Sequence, residues 1–279
     1  MNVSFPTLTR TAAEALVDQL VLQGVERVTC VPGESYLAVL DALVDTDIDV
    51  LTCRNEGGAA MMAEAEGKLT GRPGICMVTR GPGATNAAAG VHIAAQDSTP
   101  MILFVGQIDN RMRGREAFQE LDYRAVFGSV AKWVAEIDHP ERMSEMVARA
   151  FRVAMQGRPG PVVLALPENI LSEPCPSIGI PRIEPVRAAP DPQAMVQLGA
   201  MLGQAKAPIA IVGGSGWTPE ARQDLVDFAE RFDLPVATSF RRADRFPPLH
   251  RCYAGDLGIG PDPALKARVD AADLILLVG

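Results

Sequence analysis

The chain has 279 residues, 48% of them hydrophobic and 22% charged, so it can build one large or two modest domains with sizeable cores. Its formal net charge is −8 and it contains no basic run, which argues against non-specific binding to nucleic acid. No apolar run approaches the length of a membrane span, and the amino terminus lacks the layout of a signal peptide, so no membrane association is expected.

The cysteines and histidines indicate a reducing compartment and give no metal site. The five cysteines are widely spread and include no Cys-x-x-Cys pair, which is typical of reduced thiols in a cytosol. The three histidines do not cluster with Cys or Asp at metal-ligand spacing. We therefore expect a cytoplasmic protein and assign no metal ligand.

The first part of the chain alternates predicted helices with short apolar strands. Thr11 and Glu14 have the spacing of a helix capping box, and Gly24 and Gly71 are predicted helix stops. The predicted helices cover 11–24, 35–45, 56–71, 85–97 and 139–157, and the predicted strands cover 25–31, 48–53, 74–79, 101–106 and 161–166. Continuous apolar strands joined by helices predict an α/β fold with a doubly wound parallel sheet and helices on both faces.

A proline-rich segment separates this pattern from a second one. Seven prolines between positions 167 and 192 predict an extended, exposed linker. We assign residues 1–172 to a first domain, 173–191 to the linker and 192–279 to a partial second α/β domain. Because the last apolar strand ends at Gly279 without a following helix, we expect an N-terminal piece of a longer protein. The alternative is a small two-domain protein that ends in a strand.

Several candidate functional residues directly follow predicted strands. Glu56, the Gly81–Asn86 loop and Gln107 should therefore meet at the carboxyl edge of the sheet, where ligands bind in such folds. The Gly-Pro-Gly sequence at 81–83 indicates either a tight strand-to-helix turn or a loop that approaches a ligand closely. Glu56 by itself is also explained as a helix-start glutamate favoured by the helix dipole.

Six motifs occur in order and identify a family resemblance. They are VPGE at 31–34, RNEGGAAMMAEAEGKLTGRPG at 54–74, GPGATNAAAGVHIAAQDSTPMILFVGQ at 81–107, REAFQELD at 115–122, AKW at 131–133 and GRPGPVVLALPENI at 157–170. Together they resemble the acetolactate synthase-like branch of thiamine diphosphate enzymes. The first domain resembles the pyrimidine-binding domain of that family, and the second resembles the beginning of its FAD-binding middle domain.

The resemblance implies an activity and a set of cofactor contacts. Relatives decarboxylate a 2-oxo acid and carry out carboligation through a C2 ylid of thiamine diphosphate. Glu56 matches the glutamate that hydrogen-bonds N1′ of the aminopyrimidine ring. Gly33 matches a loop on the substrate side of the cofactor. The residues that match the loop beside the pyrimidine are Gly81, Pro82, Gly83 and Asn86.

The resemblance also assigns cavity and flavin contacts. Gln107 matches a catalytic residue that lines the substrate cavity. The other matches to that cavity are Phe118, Gln119 and Lys132. The matches to FAD contacts are Arg158, Gly213 and Gly214. Simpler explanations are plain packing for Phe118, a solvated side chain for Lys132 and pairing with a carboxylate for Arg158.

Some features leave the function open. Relatives bind the diphosphate through Mg²⁺ in a C-terminal domain that has no match here, so the piece alone is expected to be inactive. For the protein as a whole the resemblance implies a homodimer or tetramer. Asn55 stands where many relatives have His, and Gly57 and Gly58 replace the commoner Gln-Ala. Alternatives are therefore a related decarboxylase or acyltransferase on another 2-oxo or acyl-CoA substrate, or a non-catalytic half-site module that needs a partner chain.

Overall fold

The computed structural model describes residues 8–186 and 188–279. The chain divides into two compact units, with the boundary after Val186. No helix in these described ranges is both long enough and apolar enough to cross a membrane.

The first unit contains eight strands and seven α-helices among its described residues. The strands are β1 (Leu8–Thr11), β2 (Arg27–Cys30), β3 (Asp49–Thr52), β4 (Gly74–Val78), β5 (Met101–Gln107), β6 (Trp133–Glu136), β7 (Pro161–Pro167) and β8 (Pro174–Ser177). The helices are α1 (Ala12–Leu22), α2 (Leu37–Leu43), α3 (Glu56–Thr70), α4 (Pro82–Asp97), α5 (Tyr123–Phe127), α6 (Met143–Met155) and α7 (Glu168–Leu171).

Six of these strands form one parallel sheet in the order β3-β2-β4-β5-β7-β6. Successive residues of a strand point to opposite faces, so Ile102 and Phe104 join a core with α1, α2 and α6. Leu103 and Val105 join the opposite core with α3, α4 and α5. Both faces are therefore covered by helices, which confirms the predicted doubly wound fold.

Local signals in the sequence fix the ends of two helices. The Glu14 N–H donates to Thr11 Oγ1 at 3.2 Å, and the Thr11 N–H donates to Glu14 Oε2 at 2.7 Å, so the capping box of α1 is present. Gly24 follows α1 with φ 75°, and Gly71 follows α3 with φ 69°. These left-handed conformations suit glycine and end each helix as predicted.

The prediction was wrong about the beginning of α4, which starts at Pro82 instead of residue 85. Gly81 is the N-cap, with φ 59°, and Pro82 is the first helical residue. Proline suits that position because the missing N–H would have no partner within the helix. Gly83 and Asn86 therefore lie in the first turns of a helix and not on a free loop.

The proline-rich segment is less exposed than predicted. β8 pairs antiparallel with β1, although it lies inside the predicted linker of 173–191. Further along, the Gln19 Nε2 donates to the Ile180 carbonyl at 2.8 Å, and the Ile183 N–H donates to Gln23 Oε1 at 2.8 Å. The side-chain amides of α1 thus bind the extended backbone and hold this segment onto the first unit.

The second unit contains a four-stranded parallel sheet in the order β11-β10-β9-β12. Its strands are β9 (Pro208–Val212), β10 (Val236–Ser239), β11 (Tyr253–Leu257) and β12 (Leu274–Val278), and its helices are α8 (Pro192–Gln204), α9 (Pro219–Phe232) and α10 (Pro263–Asp270). This confirms the second α/β pattern. α8 was not predicted, although Asp191 caps it by accepting from the N–H groups of Gln193 and Ala194.

Candidate cofactor site

The candidate site lies where the winding of the first sheet reverses. The chain passes from β2 outward to β3 and then returns across β2 to β4, so β2 and β4 are neighbours at the reversal. Open parallel sheets bind ligands in the crevice beyond the carboxyl ends of such strands. Gly33 follows β2, Glu56 follows β3 and Gly81 follows β4, so the structure brings these predicted residues to one edge.

Glu56 is the first residue of α3 and carries the only carboxylate in its first turn. Asn55 caps the helix by accepting from the Gly57 N–H at 2.8 Å. The Asn86 Nδ2 donates to Glu56 Oε2 at 3.0 Å. This is the one side-chain hydrogen bond that the described residues give Glu56, so Oε1 stays available to a ligand.

The Glu56–Asn86 pair depends on close packing of α3 against α4. Gly90 lies one turn after Asn86, and Ala60 lies one turn after Glu56, so each pair shares a helix face. A Cβ atom placed on Gly90 would lie 2.5 Å from the Ala60 Cβ. The absence of a side chain at Gly90 therefore lets the two helix starts approach within hydrogen-bonding distance.

A residue with a side chain would not fit at position 81, because another part of the chain already occupies that space. A Cβ atom there would lie 2.8 Å from the Gln119 Cβ and 2.9 Å from the Gln119 carbonyl oxygen. The Gly81 N–H donates to the Tyr123 hydroxyl at 3.0 Å in a buried position. Of the two interpretations of this glycine, the tight turn is therefore present, because Gln119 already occupies the space beside it. A contact between Gly81 and the cofactor stays a prediction.

Gly33 and Gly83 both pack against Thr79. A Cβ atom on Gly33 would lie 2.5 Å from the Thr79 Cβ, and one on Gly83 would lie 2.8 Å from the Thr79 Cγ2. The position of the missing Gly83 Cβ is 3.5 Å from Glu56 Oε1. Gly83 is buried, and its missing side chain therefore lets Thr79 pack against the start of α4 close to the carboxylate.

The side chain of Gln107 is hydrogen-bonded to backbone groups. It is the last residue of β5 and is only 2% exposed. Its Nε2 donates to the Leu121 carbonyl at 2.9 Å, and its Oε1 accepts from the Ile108 N–H at 3.0 Å. Gln107 lines a cavity of about 520 Å³ that also touches Tyr123. Both polar atoms of its amide are already hydrogen-bonded to backbone groups, at Ile108 and Leu121. The catalytic role of Gln107 therefore stays a prediction.

Phe118 and Gln119 lie on the loop that returns from β5. Phe118 is 75% exposed, so the plain-packing explanation does not hold within the described residues. Gln119 has φ 66° and lies against Gly81 at the edge that carries Glu56. The structure thus brings Gln119 to the site and leaves Phe118 at the surface.

Lys132 and Arg158 lie at the opposite, amino edge of the sheet. The Lys132 Nζ donates to the carbonyls of Val153 and Gln156 at 2.6 and 2.7 Å, and burial lowers its pKa. The Arg158 Nε donates to Ser98 Oγ at 2.7 Å. Lys132 is therefore not freely solvated, and Arg158 donates to the neutral oxygens of Ser98 and Gln96. Within the first unit neither residue is near Glu56, and their predicted cavity and FAD contacts stay predictions.

Gly213 and Gly214 lie at the corresponding position of the second sheet. They follow β9, and the winding of that sheet reverses between β9 and β12. A Cβ atom on Gly213 would lie 2.4 Å from the Ser239 Oγ, and one on Gly214 would lie 2.5 Å from the Gly279 carbonyl carbon. The Trp217 Nε1 also donates to the Gly213 carbonyl at 2.6 Å. The glycines thus allow a compact loop at a crevice of this sheet.

Two family profiles match the two units. The profile described as "Thiamine pyrophosphate enzyme, N-terminal TPP binding domain" matches residues 10–126, and "Thiamine pyrophosphate enzyme, central domain" matches residues 196–279. The chain belongs to the thiamine pyrophosphate enzyme family. This confirms the resemblance on which the site residues were assigned.

Curated relatives in this family include acetolactate synthases. The chain is 32% identical over 275 residues to the acetolactate synthase large subunit of Corynebacterium glutamicum, covering 96% of this chain and 44% of that protein. It is 34% identical over 277 residues to the isozyme 3 large subunit of Escherichia coli K12, with 96% and 48% covered. Sulfoacetaldehyde acetyltransferase of Rhodobacter capsulatus is 31% identical over 270 residues, with 96% and 45% covered. The chain spans about half the length of these relatives.

The residues at the first edge fit the pyrimidine of thiamine pyrophosphate. The ring needs a carboxylate partner for its N1′ atom. Glu56 Oε1 carries no hydrogen bond from the described residues, and Glu56 is only partly buried, so this oxygen can accept a partner. In the two described ranges no three His, Cys, Asp or Glu side chains are grouped to hold a metal ion. The described part of this enzyme-family chain thus offers a site for the ring.

Two further residues at this edge were missed from the sequence. Tyr123 accepts the buried Gly81 N–H, and Arg80 lies buried between the carboxylates of Glu34 and Glu168. The available signal for Arg80 was a charged residue directly before Gly81, at the end of an apolar strand. No local signal indicates Tyr123, because 42 positions separate it from Gly81.

Proposed function

We propose that the chain supplies the pyrimidine side of a thiamine diphosphate site in an enzyme resembling acetolactate synthase. The reaction would be decarboxylation of a 2-oxo acid followed by carboligation. The observation that carries this proposal is the Glu56 carboxylate at the sheet reversal. It is held from one side by Asn86, while its other oxygen has no hydrogen bond from the described residues.

In this proposal Glu56 shares a proton with N1′ of the aminopyrimidine. Glu56 would hold the ring through its carboxylate, and the hydrogen bond would supply acid-base assistance at N1′ when the cofactor is bound. The hydrogen bond from Asn86 fixes the side-chain rotamer of Glu56, so that Oε1 keeps one direction. Bound thiamine diphosphate supplies the carbon nucleophile and the electron sink for loss of carbon dioxide.

Three further residues shape the surroundings of that proton in the proposal. Gly83 keeps a further side chain away from Glu56 Oε1, and a Cβ atom at that position would meet the Thr79 Cγ2 at 2.8 Å. Gly33 places its loop on the same Thr79, which supports the predicted substrate side of the site. The role of the chain is therefore to orient the ring and to hold one proton at N1′.

The relatives support a substrate class and leave a choice within it. The acetolactate synthases and the sulfoacetaldehyde acetyltransferase differ from this chain to nearly the same degree, at 31–34% identity. We propose pyruvate or another small 2-oxo acid as donor. Sulfoacetaldehyde is the competing substrate that the third relative suggests, and parallel assays with the two compounds distinguish these activities.

Other features of the proposal concern the whole protein. Mg²⁺ would bind the diphosphate through a part beyond the described residues, since relatives are about twice as long. FAD is proposed at the Gly213–Gly214 loop, because that loop lies at the reversal of the second sheet. We also propose a homo-oligomer, as in the family resemblance, and a cytoplasmic location, since all five cysteines are free thiols.

The test uses the full-length protein with thiamine diphosphate, Mg²⁺ and pyruvate. Replacing Glu56 by Gln keeps the shape and the contact with Asn86 but removes the carboxylate. We expect turnover to fall by about a hundredfold or more, which is the usual contribution of a positioned acid-base group. The matched control is Glu66→Gln near the end of the same helix, which should keep wild-type turnover.

Two results would contradict this function. Near-normal turnover in the Glu56→Gln protein would remove Glu56 from the mechanism. Failure of the wild-type protein to bind thiamine diphosphate in calorimetry with Mg²⁺ would remove the cofactor site itself. Flavin is tested separately by its visible absorption in the purified full-length protein, and a colourless protein would argue against FAD.

A further inference from the structure

A buried arginine lies at the centre of the edge that carries the proposed site. Arg80 directly follows Thr79 after β4 and precedes Gly81. Its side chain is only 9% exposed. Arginine is almost never this buried unless other groups pair with it, because removing its charge from water is costly.

Two carboxylates from different parts of the chain pair with Arg80. Its Nη2 donates to Glu34 Oε1 at 2.8 Å, and its Nη1 donates to Glu168 Oε2 at 3.0 Å. Glu34 belongs to the loop after β2, and Glu168 directly follows β7. One guanidinium therefore connects the carboxyl ends of β2, β4 and β7.

The ion pairs are poorly explained as a source of stability alone. The Arg80 Nε is buried and has no hydrogen-bond partner among the described residues. An unsatisfied buried donor offsets part of what the ion pairs contribute, and the exposed carboxylates of Glu34 and Glu168 are screened by water, which weakens each pair. The arrangement instead fixes geometry, since a planar guanidinium directs its two Nη atoms along set directions.

The ion pair with Glu34 connects Arg80 to the loop after β2, which faces the proposed site. Both neighbours of Glu34 touch Thr79. A Cβ atom on Gly33 would lie 2.5 Å from the Thr79 Cβ, and Ser35 Oγ is 2.9 Å from Thr79 Oγ1. The 33–35 turn is thus held onto the 79–80 segment at three consecutive positions, with Arg80 supplying the charged contact.

We propose that Arg80 is a positioning residue that acts through Glu34 to hold the Gly33 turn beside the Thr79–Gly83 segment. Its action on catalysis rests on the proposed function, because the Gly33 turn would form the substrate side of the site. Its action on the turn is independent of any ligand. Loss of the guanidinium should release this turn and leave the rest of the sheet in place.

The first experiment measures hydrogen exchange of individual amides in the full-length protein without ligand. The Val31 N–H bonds to the Met77 carbonyl, and the Tyr36 N–H bonds to the Gly33 carbonyl, so these two amides report on the turn. The reference is the Lys132 N–H at the opposite edge, which bonds to the Pro161 carbonyl. In Arg80→Met we expect exchange at the two reporters to rise by about tenfold and the reference to stay unchanged.

Companion variants test whether Arg80 acts through Glu34, and one further variant serves as the matched control. Glu34→Gln should reproduce the effect of Arg80→Met on the two reporters, and the double variant should add little there, because both substitutions remove the ion pair between Arg80 and Glu34. Arg80→Lys should restore only part of the protection, since lysine lacks the two directed Nη groups. The control is Arg27→Met, which breaks an exposed ion pair with Asp49 at the amino end of the same β2 and should leave both reporters unchanged.

Catalysis is measured in the same variants with pyruvate, thiamine diphosphate and Mg²⁺. We expect kcat/KM to fall by a similar, non-additive factor in Arg80→Met and Glu34→Gln, with wild-type values in Arg27→Met. If the wild-type protein shows no turnover, the proposed function fails, while the exchange data still decide the role of Arg80.

Three exchange results would overturn the inference. An equal rise at the Lys132 reference would mean general destabilisation. Unchanged reporters in Arg80→Met would mean that the turn does not depend on the guanidinium. Additive effects of Arg80→Met and Glu34→Gln would mean that Arg80 does not act through Glu34.

Discussion

A single methyl group added at Gly90 should separate the two helices that carry the Glu56–Asn86 pair. In Gly90→Ala, the new Cβ would lie 2.5 Å from the Ala60 Cβ, 2.7 Å from the Ala60 carbonyl carbon and 3.0 Å from the Met61 nitrogen. Two of these three atoms belong to the backbone of α3, so no side-chain rotation can remove the overlap. The helices must move apart or the substitution must strain them.

The size of the displacement follows from these distances. Carbon atoms in contact lie about 3.5–4.0 Å apart, so α3 and α4 must separate by about 1 Å at this level. Overpacking of this kind costs about 1–3 kcal/mol, while alanine in place of a helical glycine returns about 1 kcal/mol. We expect a net loss of up to about 2 kcal/mol in the free energy of unfolding. A similar shift one turn earlier lengthens the 3.0 Å bond between Asn86 and Glu56 beyond hydrogen-bonding range.

The assay combines urea unfolding with calorimetric titration of thiamine diphosphate and Mg²⁺ into the full-length protein. We expect a lower unfolding midpoint and up to about tenfold weaker binding of thiamine diphosphate. A tenfold change in affinity corresponds to the net free energy that one hydrogen bond contributes. The matched control is Gly58→Ala on α3, where a Cβ atom would meet nothing within 4 Å. Its unfolding midpoint should be unchanged or higher.

A Gly90→Ala protein that is as stable as the wild type and binds the cofactor equally well would refute this reasoning. It would mean that α3 and α4 can separate at no cost. It would also mean that the Asn86 contact does not depend on their spacing. Weaker binding without loss of stability would show that the displacement is local to the site.

Three further substitutions test the surroundings of the site by urea unfolding. Tyr123→Phe leaves the buried Gly81 N–H without its acceptor and should cost about 1–3 kcal/mol; an unchanged midpoint would mean that another group satisfies it. Thr11→Ala removes the capping box with Glu14 and should cost about 1 kcal/mol, and an equally stable protein would contradict the cap. Lys132→Met removes the donor to the last carbonyls of α6 and should also cost about 1 kcal/mol. Lost turnover at unchanged stability would instead favour the predicted cavity role of Lys132.

The structure brings predicted residues to one edge of the sheet where they directly follow strands, and their roles in a cofactor site stay predictions. Parallel strands place their carboxyl ends at one edge, so placing Glu56, Gly81 and Gln107 there required only the alternating pattern of the sequence, whereas Gly33 came from the family resemblance. Lys132 and Arg158 came from the family resemblance alone. They precede strands, and the same rule places them at the opposite edge of the unit.

Pairings across the edge could not be predicted in the same way. Arg80 meets Glu34 and Glu168 across separations of 46 and 88 positions. Such contacts depend on which strands are neighbours, and the order β3-β2-β4-β5-β7-β6 is not the order of the chain. The buried position of Arg80 follows only once β2, β4 and β7 lie in one sheet.

The sequence by itself determined the elements and their class, because helix caps, glycine stops and apolar periodicity act over a few residues. It therefore yielded the alternation of strands and helices, the capping box of α1 and the family to which the chain belongs. The tertiary structure alone decided that Gly81 packs on Gln119, that part of the proline-rich segment binds α1, and that Arg80 is enclosed by two carboxylates. These contacts join distant positions, so their energies depend on packing that no short stretch of sequence contains.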